Sequence, residues 1–261
     1  MLKGINLYFS EKMPLEKRIK LVKDAGFDGV LMSYPDPEET DQKWLKKTLD
    51  GCGLKVLMIH ARYDEKTLDK FWEKGEIGDM VEADYARQIA NCKFFAPVDM
   101  VFHFGASKNS KFTKIGKERI SRLLQIAKGK DIRVCSENLY LDDMQNEILR
   151  SFGQKNIKMC YDCGHENFLT PNAKFLENFG EYVVQTHLHN NNGQLDQHKP
   201  LDEGIIDYDI IAKRLAKLDK IPPLCLEVRK NDNRRVANFL REQKESLDKL
   251  EAKILEYKKS L

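Results

Sequence analysis

Histidines and carboxylates of this chain stand at the ends of short apolar runs or in the turns that follow them. All six histidines do so, and they are His60, His103, His165, His187, His189 and His198. The acidic residues in the same kind of position are Glu137, Asp162, Asp196 and Glu227. Imidazole and carboxylate together are donors typical of Zn²⁺, Mn²⁺ and Co²⁺ sites, whereas a site of carboxylates alone would favour Mg²⁺ or Ca²⁺. The residue types therefore predict a divalent metal centre.

These residues differ in how strongly the sequence favours them as ligands. Glu137 and Glu227 each follow an apolar run directly, where a carboxylate is costly unless it is paired or bound to a metal. His187 and His189 have the two-residue period of a strand, so their side chains should point the same way. A single strand-end histidine such as His60 is more often a hydrogen-bonded wall residue than a ligand.

The elements that must position these residues alternate regularly along the chain. Short, nearly continuous apolar runs are typical of parallel strands covered on both faces. The predicted strands are 4–9, 28–33, 55–60, 99–104, 132–137, 157–162, 183–189 and 223–228. The predicted helices lie near 14–25, 37–52, 79–95, 113–129, 140–152, 173–179, 207–219 and 232–259. This count is that of an α/β fold with a single (β/α)₈ TIM barrel, in which the carboxyl ends of all strands face one active-site mouth.

The competing fold is a doubly wound open sheet, which usually carries a glycine-rich phosphate turn after its first strand. The segment that follows the first predicted strand here is not of that kind. We therefore expect one TIM-barrel domain over residues 1–261. The C-terminal stretch 232–259 is predicted as the last barrel helix, with a partner-binding or dimerising helix as the alternative.

Composition excludes several other classes of protein. The chain has 261 residues, 41% hydrophobic and 33% charged, and its net charge of +3 is too small to indicate a nucleic-acid partner. It has no apolar run long enough to cross a membrane, so a cytoplasmic location is the expectation. The six cysteines form no disulfide framework, and a redox or zinc-knuckle role for Cys160 and Cys163 is disfavoured because no second pair accompanies them.

The loop 61–78 is the longest connection early in the chain. Its aromatic residues Phe71 and Trp72 suggest a lid that closes over a substrate. The alternative is a surface helix with an aromatic side chain docked on the barrel rim.

Several segments together resemble the xylose-isomerase-like TIM barrels: CSENLY, YDCGHENF, THLHNNNGQLDQHKPLDEGIIDY and CLEV. This superfamily contains sugar and sugar-phosphate isomerases and epimerases, and also nucleases of the endonuclease IV type. The resemblance implies a metal site of Glu137, Asp162, His187 and Glu227 holding divalent Zn, Mn, Co or Mg. It also implies that His165, three residues after Asp162, contacts the substrate.

The endonuclease branch instead builds a cluster of three metals. The resemblance assigns its additional ligands to His60, His103, His165, Asp196 and His198. Three features favour the isomerase branch: the first strand lacks histidine, the second βα loop (Ser33–Glu39) is short and acidic, and the net charge is near zero. One feature favours the nuclease branch, because Tyr63 stands three residues after His60, as a DNA-contacting tyrosine does there. The arginine that ketose 3-epimerases carry shortly after the strand-seven histidine is replaced here by Gly193.

The preferred hypothesis is a divalent-metal-dependent isomerase or epimerase of a small sugar, sugar phosphate or polyol. Glu137 and Glu227 would transfer a proton through a metal-stabilised enediolate, and His165 would hold a substrate oxygen. Further metal or substrate contacts are expected from the remaining candidates, which are His60, His103, Asn138, His189, Asp196 and His198. The alternatives are a phosphodiesterase acting on abasic DNA, a dehydratase or lyase on the same site, and a barrel that binds without turnover. A homo-oligomer stays open, and no membrane partner is expected.

Overall fold

The computed structural model describes residues 1–105, 107, 110–139, 142–153 and 157–261. Within these ranges the strands are β1 Lys3–Asn6, β2 Gly29–Ser33, β3 Lys55–His60, β4 Val98–Phe102, β5 Ile132–Glu137, β6 Ile157–Asp162, β7 Val183–His187 and β8 Leu224–Leu226. All neighbouring strands are parallel, in the order β7-β6-β5-β4-β3-β2-β1-β8. A bridge between Leu188 and Leu226 joins the two ends of the sheet, so the strands form a nearly closed barrel. The predicted TIM-barrel fold is confirmed.

Helices on the outside connect the strands. They are α1 Leu15–Asp24, α2 Gln42–Gly51, α3 Glu76–Asn91, α4 Lys114–Lys128, α5 Asp142–Phe152, α6 Cys163–Leu169, α7 Phe175–Phe179, α8 Tyr208–Ala216 and α9 Val236–Lys259. The sequence did not predict α6, which begins directly after β6. Its first turn is capped by Asp162, whose Oδ1 accepts a hydrogen bond from the His165 amide at 2.7 Å. Residues 140–141 of the predicted helix 140–152 lie outside the described ranges.

Four strands end earlier than their apolar runs predicted. β1 stops at Asn6 rather than residue 9, β4 at Phe102 rather than residue 104, β7 at His187 rather than residue 189, and β8 at Leu226 rather than residue 228. The apolar character continues past the last ladder pair because the following residues are still covered by protein. Consequently Tyr8, His103, His189 and Glu227 lie beyond the strand ends, at the barrel mouth.

The barrel interior is layered. Towards the amino ends of the strands Arg133 binds Asp99 through two hydrogen bonds of 2.7 and 2.6 Å, and Gln185 donates a further one to Asp99 at 2.7 Å. The next layer is apolar and consists of Leu31, Leu57, Met58, Val101, Cys135, Cys160 and Cys225. Each of the chain's six cysteines is a free thiol, and none is paired in a disulfide. Above the apolar layer, the carboxyl ends of the strands carry the imidazoles and carboxylates.

The lid predicted from Phe71 and Trp72 is wrong. Phe71 is 0% and Trp72 2% exposed, and the Trp72 indole N–H donates to the carbonyl of Phe104. Trp72 also lies directly against α4, where a Cβ added to Gly116 would stand 2.0 Å from the indole ring. The pair packs in the core between the barrel and its helices, because burial of two large aromatic surfaces is more favourable than exposure on a loop.

The C-terminal helix α9 packs as the last helix of the barrel. Its inward face buries Phe239, Leu240, Leu247, Leu250 and Ile254 against α8, α1 and β8. None of the helices in the described ranges is both long enough and apolar enough to cross a membrane.

Candidate metal centre

Four predicted ligands meet at the centre of the mouth. The Nδ1 atom of His187 lies 3.0 Å from Oε1 of Glu137, 3.0 Å from Oε2 of Glu227 and 3.7 Å from Oδ2 of Asp162. On the other side of the ring, Nε2 of His187 faces the sulfur of Met58 at 3.0 Å. Donor atoms of all four ligands lie within 4.8 Å of one another, and each of these residues is buried. We call this set the central group.

A second set shares Glu137 with the central group. Nε2 of His60 and Nε2 of His103 are 3.3 Å apart, and each is 3.1 Å from Oε2 of Glu137. Tetrahedral coordination with bonds of about 2.0–2.1 Å places neighbouring donor atoms about 3.3–3.4 Å apart. The three separations are therefore close to the edges of a tetrahedral zinc site, two of them about 0.2 Å shorter. We call this set the His60 group.

A third set combines Asp196 and His198, on the loop after β7, with His165 of α6. Nε2 of His198 is 2.8 Å and Nε2 of His165 is 3.5 Å from Oδ2 of Asp196, while Nε2 of His189 is 3.7 Å from its Oδ1. The rings of His189 and His198 stack with their centroids 4.2 Å apart. We call His165, Asp196 and His198 the outer group.

Backbone carbonyls fix the orientation of three of these imidazoles. Nδ1 of His60 lies 2.8 Å from the carbonyl of Ala61, and Nδ1 of His198 lies 2.9 Å from the carbonyl of Glu227. Nδ1 of His165 lies 3.1 Å from a carbonyl as well, that of residue 138. A carbonyl only accepts, so each Nδ1 carries a proton and each Nε2 is directed towards the site. This is the usual second contact of metal-binding histidines, and the donor set therefore fits divalent metal ions.

The predicted contact Asn138 does not reach the cavity. Its side chain is fully buried, donates to the carbonyl of Asp162 at 2.8 Å and accepts from the Asp162 amide at 2.8 Å. It thereby joins the ends of β5 and β6 and keeps Glu137 and Asp162 on adjacent positions.

At the centre, negatively charged carboxylates lie directly beside imidazoles that can carry positive charge. Burial acts to raise the pKa of Glu137 and of Glu227, but nearby imidazoles, His187 above all, have the larger effect. They hold the pKa of Glu137 well below its usual range and lower the pKa of Glu227 to about 2. Burial acts to lower the pKa of His187, but Glu227 and Glu137 raise it to about 10. In the same way Glu227 and Asp196 raise the pKa of His198 to about 9 against the effect of burial. Positive charge is thus favoured on His187 and His198, whereas burial lowers the pKa of His103.

A cavity of about 460 Å³ opens above the centre. Glu137, His165 and Glu227 reach its wall, so they are accessible to a small molecule. Another cavity, of about 580 Å³, opens at the amino ends of β3 to β6, where none of the predicted site residues lies.

Sequence reasoning missed several residues of this wall, among them Tyr8 and Arg229. Tyr8 follows β1 and its hydroxyl donates to Oε1 of Glu227, while Arg229 stands two residues after Glu227. The only available signal was their position just after an apolar run, which the search for histidine and carboxylate overlooked. Tyr63 lies over the His60 group, with its ring centroid 4.3 Å from that of His103.

Comparison with known proteins agrees with this architecture. The model of the xylose isomerase-like TIM barrel family matches residues 19–252. The chain belongs to this family. An uncharacterized protein of Methanocaldococcus jannaschii is 27% identical over 232 residues, which cover 84% of this chain and 86% of that protein. Uncharacterized proteins of Sinorhizobium fredii and again M. jannaschii are 30% and 28% identical, but the chain spans only 37% and 38% of their lengths.

Several proteins of known structure share the fold at low sequence identity. A D-tagatose 3-epimerase-like protein superposes with a TM-score of 0.79 at 19% identity, covering 98% of this chain and 99% of that one. An L-ribulose 3-epimerase superposes with a TM-score of 0.78 at 16% identity, covering 100% of this chain and 97% of that one. A 3-keto-D-glucoside 4-epimerase of E. coli superposes with a TM-score of 0.72 at 17% identity, covering 97% of this chain and 99% of that one.

Proposed function

We propose that this protein is a divalent-metal-dependent isomerase or epimerase of a small sugar or sugar derivative. The observation that carries the proposal is the central group, in which Glu137 and Glu227 both lie 3.0 Å from one nitrogen of His187 and both reach the cavity wall. Two carboxylates at one cavity provide a proton acceptor and a proton donor for the same substrate carbon or its neighbour. The sugar epimerases among proteins of the same fold support this substrate class.

The residues have separate tasks in this reaction. Glu137, Asp162, His187 and Glu227 would hold the ion, whose positive charge stabilises negative charge that develops on substrate oxygens. One of the two glutamates removes the proton next to the substrate carbonyl, and the other returns a proton to the substrate. His165 borders the cavity and is placed to hold a substrate oxygen. The 460 Å³ volume is suited to a monosaccharide.

Phosphodiester hydrolysis is a second candidate, and the His60 group supports it. In that reaction Glu137, which belongs to both the central group and the His60 group, would hold metal rather than act as a base. The nine side chains of the three groups would together hold a cluster. The acidic loop that argued against DNA is also less repulsive than its sequence suggested, because Arg62 pairs with Glu39 at 2.6 Å and Arg87 approaches Asp36 at 3.5 Å.

Metal content separates the two candidates. Protein purified without added metal is analysed for elements, and the same preparation is incubated with ketoses, their phosphates and an abasic duplex. One ion per chain with conversion of a ketose supports the isomerase. If the protein holds two or three zinc ions, nicks the duplex and converts no sugar, the isomerase proposal is wrong and the hydrolase is supported.

The glutamate assignment is tested by Glu227→Gln. We expect at least about a 100-fold fall in kcat for the sugar, since general acid–base catalysis contributes about 10²–10⁴-fold. Metal content is measured on the same sample, because Glu227 is also a proposed ligand. Glu245→Gln on the outer face of α9 is the control. A Glu227→Gln enzyme that keeps its activity would refute the mechanism.

A further inference from the structure

His189 is held from several sides although it lies beyond the end of β7. It is 0% exposed, and its ring stacks on His198 with an interplanar angle of 18°. On another side α6 approaches so closely that a Cβ on Gly164 would stand 2.0 Å from Cε1 of the ring. The His189 carbonyl accepts hydrogen bonds from the Tyr208 hydroxyl at 2.9 Å and the Cys163 thiol at 3.4 Å. These contacts hold both the backbone and the ring of His189 in a single orientation.

The ring places its Nε2 against a metal-binding carboxylate. Nε2 lies 3.1 Å from Oδ1 and 3.2 Å from Oδ2 of Asp162, closer than the 3.7 Å to Asp196. Among the described residues, no carbonyl accepts from Nδ1 of His189 as one does from Nδ1 of His60, His165 and His198. The single ring proton of His189 is therefore best satisfied on Nε2, where Asp162 accepts it, and Nε2 then has no lone pair for an ion. Nδ1 is buried and has no hydrogen-bond partner among the described residues.

We propose that His189 is a positioning residue for the metal centre. By donating Nε2–H to Asp162, it turns Oδ2 of that carboxylate towards His187, while its stacked ring sets the place of His198 in the outer group. His189 thus connects the central and outer groups without binding an ion itself. The inference depends on the proposed metal site but not on which reaction that site performs.

Other contacts of Asp162 show why this residue matters. Oδ1 already caps α6 through the His165 amide at 2.7 Å, and this bond alone leaves the carboxylate free to rotate about it. The bond from His189 removes that freedom. Loss of a hydrogen-bonding partner behind a metal ligand typically lowers metal affinity about 10–100-fold.

The test compares His189→Leu with His189→Gln by measuring zinc affinity in competition with a chelator. Leucine removes the donor, so we expect at least about a 10-fold weaker affinity, whereas the glutamine amide can donate to Asp162 and should restore most of it. Unchanged affinity in His189→Leu overturns the inference. A His189→Gln protein as weak as the leucine variant also overturns it, because that result is expected of a direct ligand.

Displacing the ring without removing it provides an independent variant. Gly164→Ala should weaken zinc binding in the same direction, and Gly51→Ala at the end of α2, where no atom lies within 4 Å of the new Cβ, is the matched control. Equal affinity of the two alanine variants contradicts the inference.

A measurement on the unmodified protein covers the case in which the variants do not fold. In protein loaded with ¹¹³Cd, the ring protons of His187 should couple to cadmium and those of His189 should not. Coupling to His189 identifies it as a ligand and overturns the inference. Protein that binds neither zinc nor cadmium removes the proposed metal site itself, whereas bound metal with an unaffected His189→Leu removes only the role of His189.

Discussion

At the scale of single residues, Tyr8 is the side chain that most directly modifies a proposed catalytic group. Burial and the adjacent Glu227 raise the pKa of Tyr8 well above its usual value, so the hydroxyl remains a donor at neutral pH. Its hydrogen bond to Oε1 leaves Oε2 of Glu227 facing His187. Tyr8 therefore separates the two oxygens of Glu227 into a hydrogen-bonded one and one that faces the centre.

Tyr8→Phe should lower kcat/KM by roughly 10-fold, because a hydrogen bond to a charged group contributes about 1.5–3 kcal/mol. Metal content should not change, since Tyr8 belongs to none of the three ligand groups. Steady-state kinetics and elemental analysis measure the two quantities. Tyr182→Phe, before β7 at the opposite end of the barrel, is the control. A loss of metal in Tyr8→Phe would contradict this assignment.

At the scale of elements, the 3₁₀ helix Leu68–Trp72 is a packed part of the barrel wall. Buried Arg119 of α4 donates to the carbonyls of Phe71 and Glu73 at 2.6 and 2.8 Å, which fixes the end of this turn. The loop after β3 is therefore anchored behind the aromatic pair. The residues near Tyr63, which line the barrel mouth, are therefore attached to a well-packed segment.

Gly116→Ala should destabilise the protein by about 1–3 kcal/mol, the usual cost of overpacking a core. The new methyl group would enter the Trp72 ring, and this outweighs the gain of about 1 kcal/mol expected for Gly to Ala inside a helix. Guanidinium denaturation measures the change. Gly129→Ala, whose nearest atom is 3.5 Å away, should have little effect. Equal midpoints for the two variants would show that Trp72 is not packed as described.

The helix α9 is connected to β1 by ion pairs that should respond to pH. Lys3 binds Glu251 and lies 2.9 Å from Asp248. Partial burial acts to raise the pKa of Glu251, but Lys3 lowers it. A depressed carboxylate pKa stabilises the fold above the unfolded value of about 4.3, and this contribution disappears as the pH falls through the folded value.

Glu251→Gln should therefore cost about 1 kcal/mol at pH 7, the upper range for a surface ion pair, since the Lys3 and Glu251 side chains are only 12% and 19% exposed. The difference from the unmodified protein should shrink below about pH 4 as the carboxylate takes up its proton. Thermal unfolding between pH 7 and pH 3 measures this difference in stability, with Glu245→Gln as the control. A difference that persists at pH 3 would assign the effect to packing rather than charge.

At the scale of the whole molecule, metal binding should stabilise the closed barrel. The proposed ligands come from the ends of β3 to β8 and the loops that follow them, so an ion held among them would connect distant parts of the chain. A ligand at 100 times its Kd stabilises the folded state by about 2.7 kcal/mol. Chelation should lower the Tm of the unmodified protein, and Asp162→Asn should show a smaller decrease. Equal decreases in both would mean that chelation acts elsewhere.

The sequence by itself determined the fold and the identity of the residues at the mouth. Its alternating apolar runs and helices predict parallel strands, and the carboxyl ends of parallel strands in a barrel share one edge. Histidine or a carboxylate at those ends must therefore meet, whatever the details of packing. Glu137, Asp162, His187 and Glu227 were predicted on this basis and lie together, although their roles remain a proposal.

Only the tertiary structure decided how these residues are grouped. Whether Glu137 faces one set of histidines or two depends on side-chain directions fixed by barrel closure, which brings Met58 against His187 across 129 positions. Apolar runs also extend beyond the last ladder bond, so their lengths did not reveal that Tyr8 and His189 lie beyond the strand ends. The burial of Trp72 depends equally on the absence of a side chain at Gly116, a contact between elements that no local pattern encodes.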